Sequence, residues 1–93
     1  MKSWTFLTHH AHVLLALESD PSRTLDQLAE ITGLTSRSVV NILKDLEEGG
    51  YLKKQRHGRK NLYSINHSGS LRHSTSRNRT VGELIGALGT VQG

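Results

Sequence analysis

The sequence contains no cysteine, and this absence excludes several kinds of site at once. Disulfides and thiolate nucleophiles require cysteine sulfur, and zinc fingers and zinc ribbons bind their metal largely through it. Aromatic residues are also scarce, at 4% of the chain. Because single-stranded RNA is commonly held by stacking its bases on aromatic rings, this scarcity disfavours RNA binding.

Hydrophobic residues are few as well, at 34% of 93 residues. A chain of this length makes one domain, and this composition is low for a self-sufficient core, so we expect either loosely ordered parts or a second copy that completes the core. No stretch approaches the ~20 apolar residues of a membrane span. The apolar N-terminal stretch is interrupted by His9, His10 and His12, with no small-residue cleavage site after it, which disfavours a signal peptide. We therefore expect a soluble cytoplasmic protein with no membrane partner.

The side-chain sets on which enzymes depend are also missing from the sequence. There is no nucleophile with a base and an orienting partner, no glycine-rich phosphate loop and no paired carboxylates in a recognisable cleft. His9 and His12 have metal-ligand spacing on a helix, but a third ligand would have to come from His67, His73 or a partner chain. We expect no catalysis, no bound metal and no cofactor.

Positive charge is concentrated in the second half of the chain. Residues 1–50 hold four Lys and Arg against seven Asp and Glu, whereas residues 51–93 hold eight against Glu83 alone. The net charge of +4 therefore divides into −3 and +7. This asymmetry indicates either a polyanionic partner for the C-terminal half or a solvated basic tail.

Capping residues predict two consecutive helices in the middle of the chain. Thr24 opens one through a capping box with Gln27, and Gly33 ends it because glycine adopts left-handed backbone at little cost. Thr35 caps the next helix, which covers residues 36–48. Its periodicity turns one apolar face inward, consisting of Val39, Ile42, Leu43 and Leu46. The pair is therefore a helix-turn-helix.

A β-hairpin is predicted directly after these helices. Residues 51–56 and 61–65 have the composition of strands, and residues 57–60 form the turn between them. Tyr51 and Tyr63 are expected to pack the hairpin against the helices rather than to stack on bases. The fold class is therefore mainly α with a small β-hairpin.

Two further apolar segments flank this unit. The first helix, from about residue 8 to residue 19, spreads its apolar residues over an arc of roughly 200°, twice the usual width. Residues 66–79 are expected to form an extended polar connector, and a capping box at Thr80 and Glu83 opens a short last helix. A two-fold homodimer is expected to bury the apolar residues of both helices. The alternative is that the last helix folds back onto its own domain and leaves a monomer. The predicted interface consists of Phe6, Val13, Leu17, Val81, Leu84, Ile85 and Leu88.

The outward face of helix 36–48 and the hairpin turn carry side chains that suit DNA. Arginine can bind both acceptors of a guanine, asparagine can pair with adenine, and valine can touch a thymine methyl group. Hydroxyl groups and lysines suit phosphates, which position a protein without reading sequence. The candidates are Thr35, Ser36, Arg37, Ser38, Val40, Asn41, Lys44, Arg56, Arg59 and Lys60. The alternatives are a surface salt bridge for the arginine of the helix and a solvated turn for the hairpin cations.

Together these segments resemble the winged helix-turn-helix regulators of the MarR and ArsR type. The resembling stretches lie between residues 24 and 65 and are TLDQLAE from Thr24, TSRSVV from Thr35, LKDLEEGGYL from Leu43 and GRKNLY from Gly58. The resemblance implies a homodimer on a near-palindromic operator in double-stranded DNA. It also implies that helix 36–48 enters the major groove while residues 53–63 form a wing on the backbone or minor groove.

The sequence thus predicts a transcriptional regulator with two segments. Residues 1–66 form the winged helix-turn-helix DNA-binding domain, and residues 67–93 form the polar connector and the short dimerisation helix. A winged-helix protein-interaction module without sequence-specific DNA binding is the alternative. The two functions differ in salt dependence, because a DNA binder loses affinity linearly with the logarithm of salt concentration.

Overall fold

The structure, a computed structural model, describes residues 7–72 and 75–89 of the chain. These residues contain four helices and one β-hairpin. The elements in chain order are α1 (His9–Ser19), α2 (Leu25–Thr32), α3 (Ser36–Glu48), β1 (Leu52–His57), β2 (Lys60–Ile65) and α4 (Val81–Gly89). This order confirms the mainly α fold with a small hairpin. Phe6 and His73, named above as interface and ligand candidates, lie outside the described residues. None of the described helices is long and apolar enough to span a membrane.

A threonine caps the first turn of each of these helices. At α2 the Thr24 hydroxyl accepts from the Gln27 N–H at 3.2 Å, while the Gln27 side-chain oxygen accepts from the Thr24 N–H at 2.9 Å. Thr80 and Glu83 form the same reciprocal pair at the start of α4. Both predicted capping boxes are therefore confirmed, and each cap stabilises its helix by about 0.5–2 kcal/mol.

The core lies where α1 crosses α2 and α3 above the base of the hairpin. Four of its side chains are almost fully enclosed, namely Val13, Leu17, Leu28 and Val39. Helix α4 packs against α1 and adds Val81 and Ile85 to the same cluster. Side chains from both the first 66 residues and the segment after them therefore share one core.

The wide apolar arc of helix α1 is explained by the central position of the helix in the fold. It contacts α2, α3, α4 and β2 of its own chain, so different sides of the helix meet different elements. As a result Val13, Leu17, Val81 and Ile85, which were expected to meet a second copy, are buried inside a single chain. The width of the arc therefore does not by itself require a dimer. Of the remaining predicted interface residues, Leu84 is half-buried and Leu88 is exposed.

The segment between β2 and α4 folds back on itself instead of running as an extended connector. Ser70 and Thr80 form an isolated antiparallel bridge, and the Leu71 N–H donates to the Arg79 carbonyl at 2.9 Å. The Val81 N–H donates to the Gly69 carbonyl at 2.8 Å. These backbone bonds close the loop, and they bring α4 back to α1. Sequence periodicity cannot predict such pairing, because the paired residues lie outside the regular helices and strands.

Candidate nucleic-acid interface

The turn between α2 and α3 sets the direction of α3. Gly33 ends α2 with φ of 75°, and its N–H donates to the Ala29 carbonyl at 2.9 Å. The next residue, Leu34, packs against the core and holds the turn down on it. Thr35 then caps α3, so only three residues separate the two helices. This short turn is the geometry of a DNA-binding helix-turn-helix.

Adjacent residues of α3 divide sharply between core and surface. Val39 is fully buried, whereas 45% of Val40 remains exposed. Arg37, Asn41 and Lys44 share the exposed side with Val40. An apolar side chain on an otherwise polar exposed face suits contact with a thymine methyl group. The structure thus brings the predicted base-reading residues together on one open face.

The hydroxyl groups at the start of α3 are arranged differently. The Thr35 hydroxyl accepts from the Ser38 N–H at 3.1 Å and donates to the Ser38 Oγ at 3.0 Å. Thr35 therefore serves first as the helix cap, and Ser38 is half-buried beside it. Ser36 is exposed, and among the three it is the one best placed to meet a phosphate.

The charge along α3 runs from basic to acidic. Its first turn carries no acid, and its carboxylates occur at Asp45, Glu47 and Glu48. The side-chain ion pairs within residues 7–72 and 75–89 are His10–Asp45, His67–Glu18 and Arg79–Glu83. Arg37 and Lys44 belong to none of them, which argues against the surface salt bridge considered for Arg37.

The hairpin presents its cations around a tight turn. His57 pairs with Lys60 at the end of the ladder, which leaves Gly58 and Arg59 as a two-residue loop. Gly58 has φ of 64°, as required of the first residue in a type II′ turn. Arg59 and Lys60 are exposed here, as is Arg56, whose Nε donates to the Gly58 carbonyl at 3.3 Å.

Tyr63 anchors the base of the hairpin to the helices. Its side chain is buried in the core, and its N–H donates to the Pro21 carbonyl at 3.2 Å in the turn between α1 and α2. Burial raises the pKa of the phenol, and the nearby carboxylate of Glu47 raises it further. The residue therefore packs the wing against the core, as the sequence predicted, and stays neutral at physiological pH.

Two further cations of the wing were missed by the sequence analysis. Lys53 and Lys54 are exposed on β1, opposite Ser64 and Tyr63 of β2. They extend the basic surface from the turn towards α3. Together with Arg56 they give β1 three Lys and Arg side chains. Two consecutive lysines inside a predicted strand were the available signal, since a short exposed strand is where charge is tolerated.

His9 and His12 of α1 were weighed as metal ligands because of their spacing on a helix. The rings of His9 and His12 have centroids 6.4 Å apart. No group of three or more His, Asp or Glu side chains in the described part of the chain gathers in a metal-binding arrangement. His10 instead pairs with Asp45, and His67 pairs with Glu18.

A model of the MarR family matches residues 5–60 of the chain. No curated protein matches the chain in sequence. The matched range includes α1, α2, α3 and the first part of the hairpin, which are the elements that build the site described above.

Solved structures share the fold over most of this chain. A predicted DNA-binding transcriptional regulator from E. coli is 25% identical with a TM-score of 0.60, over 87% of this chain and 74% of that chain. The PcaV transcriptional regulator from Streptomyces coelicolor, solved with its natural ligand, is 24% identical with a TM-score of 0.60. That match covers 98% of this chain and 63% of PcaV. ZitR, a zinc-responsive MarR family member from Lactococcus lactis, is 24% identical with a TM-score of 0.54, over 70% of this chain and 46% of its own. This chain therefore spans less than two thirds of the last two proteins.

Proposed function

The chain belongs to the MarR family, and from that premise we propose that it is a sequence-specific regulator of transcription that binds double-stranded DNA as a homodimer. The operator is a near-palindrome, with one copy of α3 in each of two adjacent major grooves. The wing contacts the backbone or minor groove beside each half-site. The proposed function implies a cytoplasmic protein, because its ligand is operator DNA.

The observation that carries this proposal is the open face of α3. Arg37, Val40 and Asn41 offer a guanine-binding fork, a methyl contact and an adenine-binding amide within little more than one helical turn. Nothing in the fold requires these residue types on an exposed surface. The solvated face of a helix ordinarily carries charged and polar side chains, so the 45% exposure of the apolar Val40 among them is the unusual feature.

The wing supports the same proposal through charge. Its five lysine and arginine side chains are exposed and lie within eight residues, at Lys53, Lys54, Arg56, Arg59 and Lys60. Like charges repel one another, so a cluster of this kind is stabilised by a polyanion. The DNA backbone supplies such a polyanion at regular spacing.

The homodimer rests on apolar surface that one chain leaves open. On α4, Leu84 is half-buried and Leu88 remains exposed, while Val81 and Ile85 face α1. The second half of α4 therefore keeps an exposed apolar patch around Leu88 after the helix has packed. In a two-fold dimer the same patch serves both copies, which matches the symmetry of a palindromic site.

A protein-interaction module is the second candidate, and a different surface favours it. Leu25 and Ile31 on α2 are 41% and 52% exposed. Neither residue lies on the proposed DNA-binding face of α3. If this surface served a protein partner instead, the basic wing would be incidental and binding to duplex DNA would be weak at any sequence.

Selection of bound sequences from random duplex DNA tests the proposal directly. A recovered near-palindrome is the expected result, and its half-site spacing would report the separation of the two recognition helices. Recovery of no preferred sequence would contradict sequence-specific regulation and favour the interaction module.

The salt dependence of the affinity tests the wing. Replacing Arg59 and Lys60 with alanine should weaken all duplexes and flatten the plot of log affinity against log salt by about one to two units, because fewer counterions are released. Replacing Arg72 and Arg77, exposed cations outside the wing, removes the same charge and serves as the control. A wing variant with the same slope as the unsubstituted protein would mean that the wing does not contact the backbone.

A further inference from the structure

The side chain of Tyr51 lies between the end of α3 and the loop that leads to α4. Its ring is partly buried and packs against the core. One edge of the ring faces Gly49, where a Cβ would lie 3.0 Å from Cδ2, and the opposite edge faces Gly69, where a Cβ would lie 2.9 Å from Cδ1. A larger side chain at Gly69 would therefore displace the ring, so the close fit depends on glycine backbone.

Hydrogen bonds also attach Tyr51 to both of these segments. Its N–H donates to the Leu46 carbonyl at 2.9 Å and closes the last turn of α3. Its carbonyl accepts from the Asn66 N–H at 2.9 Å, and its hydroxyl donates to the Ser70 carbonyl. The Asn66 side chain adds a bond of 3.1 Å from its Nδ2 to the Gly50 carbonyl. The end of α3 is thus held to the loop after β2 by Tyr51 and the residue before it.

The other end of the same loop carries the start of α4. Ser70, which accepts from the Tyr51 hydroxyl, forms the isolated bridge with Thr80, the cap of α4. The Val81 N–H donates to the carbonyl of Gly69, the residue against the Tyr51 ring. Helix α4 also packs against α1, but apolar burial has no preferred direction, whereas hydrogen bonds depend on angle. The contacts of Tyr51 therefore act on the orientation of α4 relative to α3.

This orientation decides how a dimer fits two half-sites. In a two-fold dimer a rotation of α3 relative to the interface helix occurs in both copies, so the angle between the two α3 helices changes by up to twice that rotation. One added base pair separates the half-sites by a further 3.4 Å or so and turns one relative to the other by about 35°. A dimer can distinguish such sites only if each α3 is held firmly relative to α4.

We propose that Tyr51 is a positioning residue, which fixes α3 relative to α4 and thereby determines the half-site spacing that the homodimer accepts. The inference rests on the proposed function, with α4 as the interface helix. Tyr51 does not contact DNA in this role, and the loss of its hydroxyl leaves the base-reading side chains of α3 in place. The expected consequence is weaker discrimination between spacings, with base recognition kept.

Duplexes with one base pair added to or removed from the selected spacing test this role. Tyr51→Phe keeps the ring between the two glycines and removes the hydroxyl bond to Ser70. We expect the ratio of affinities for the selected and the altered spacing to fall by about two- to ten-fold, the range of one net hydrogen bond. Discrimination against single-base changes within a half-site should match that of the unsubstituted protein.

A second variant and a control separate this role from a loss of stability. In Gly69→Ala the new methyl group must displace the Tyr51 ring, so we expect the same relaxed spacing. Ser19→Ala removes another hydroxyl bond to a backbone carbonyl, the bond of 2.9 Å to Ala16 at the end of α1. This control should leave the spacing ratio unchanged. Urea unfolding of each variant checks that the fold is kept.

Amide hydrogen exchange tests the attachment of α4 without DNA. The N–H groups of Val81 and Gly82 donate to loop carbonyls, so in Tyr51→Phe they should exchange about two- to ten-fold faster. The amides of α2 serve as the reference within the same molecule. Unchanged exchange at both positions would overturn the link between Tyr51 and α4.

The DNA measurements distinguish failure of this role from failure of the proposed function. Equal weakening by Tyr51→Phe at every spacing would reduce Tyr51 to a structural residue and overturn the proposal, as would a relaxed spacing ratio in Ser19→Ala. If the unsubstituted protein selects a half-site sequence but accepts every spacing equally, sequence-specific regulation stands and the role of Tyr51 fails. If no sequence is preferred, both fail.

Discussion

At the scale of single residues, exposure on α3 separates two tasks. Val39 has no exposed surface and stabilises the core, whereas its neighbour Val40 offers nearly half of its surface to a partner. Arg37 lies one turn before Asn41 on that open side and reaches furthest, with a planar fork of donors. Discrimination between sequences is therefore expected to depend most on Arg37.

Replacing Arg37 with alanine should weaken the preferred duplex by about 1–3 kcal/mol and relax discrimination at one base pair, since a bidentate contact to guanine is lost. Competition binding against single-base variants of the selected site measures both effects. Arg77→Ala, which removes another exposed arginine outside α3, is the control. Equal weakening of specific and random DNA by Arg37→Ala would show that Arg37 contacts a phosphate instead of a base.

At the scale of elements, close backbone contacts hold α4 in place. The Gly82 N–H donates to the His67 carbonyl at 2.8 Å, and a Cβ built on Gly82 would lie 2.8 Å from the same oxygen. A second glycine of the helix is different, because a Cβ on Gly86 would meet no heavy atom of the described residues within 4 Å. The first turn of α4 is therefore fitted to the loop before it, and its second turn is not.

This difference predicts opposite effects for one substitution. Gly82→Ala should lower the free energy of unfolding by about 1–3 kcal/mol, because the backbone of His67 must move to admit the methyl group. Gly86→Ala should raise it by about 0.5–1 kcal/mol, because alanine favours a helix more than glycine does. Urea unfolding of the two variants gives both values. Stabilisation by both substitutions would mean that α4 is not docked through Gly82.

At the scale of the whole molecule, α4 leaves apolar surface outside the core of one chain. The core inside one chain already encloses Val81 and Ile85, so a second copy would have to use what remains. Leu88 is 36% exposed and half-buried Leu84 lies one turn before it. A helix of nine residues is too short to be stable alone in water, so α4 depends on its packing against α1.

We expect a homodimer in sedimentation at micromolar concentration, with Leu84 on or beside the interface. Leu84→Asp should dissociate it, because an unpaired charge would be buried between the copies. Ile31→Asp, which changes an exposed apolar residue on α2, should leave the dimer intact. A monomeric unsubstituted protein would contradict the homodimer. A Leu84→Asp variant that stays dimeric with unchanged stability would remove α4 from the interface.

Local signals in the sequence were enough to predict the elements and most of the candidate site. Thr24 and Gln27, Thr80 and Glu83, and Gly33 act on backbone groups within four residues, so they mark helix ends regardless of the rest of the chain. Helical periodicity likewise separated Val39 from Val40, because the turn of a helix depends only on spacing. The strand ends moved by only one residue, to 52–57 and 60–65.

Only the tertiary structure decided which surfaces meet. The arc of α1 could have faced a second copy or its own chain, and its contacts with α2, α3, α4 and β2 assign most of it to its own chain. The pairing of His10 with Asp45, and of Ser70 with Thr80, joins residues that no local pattern relates. Periodicity reports which side of an element is apolar but not what covers that side. What covers that side depends on the three-dimensional arrangement of all elements. The bridge between Ser70 and Thr80 and the burial of Val81 and Ile85 therefore required the structure.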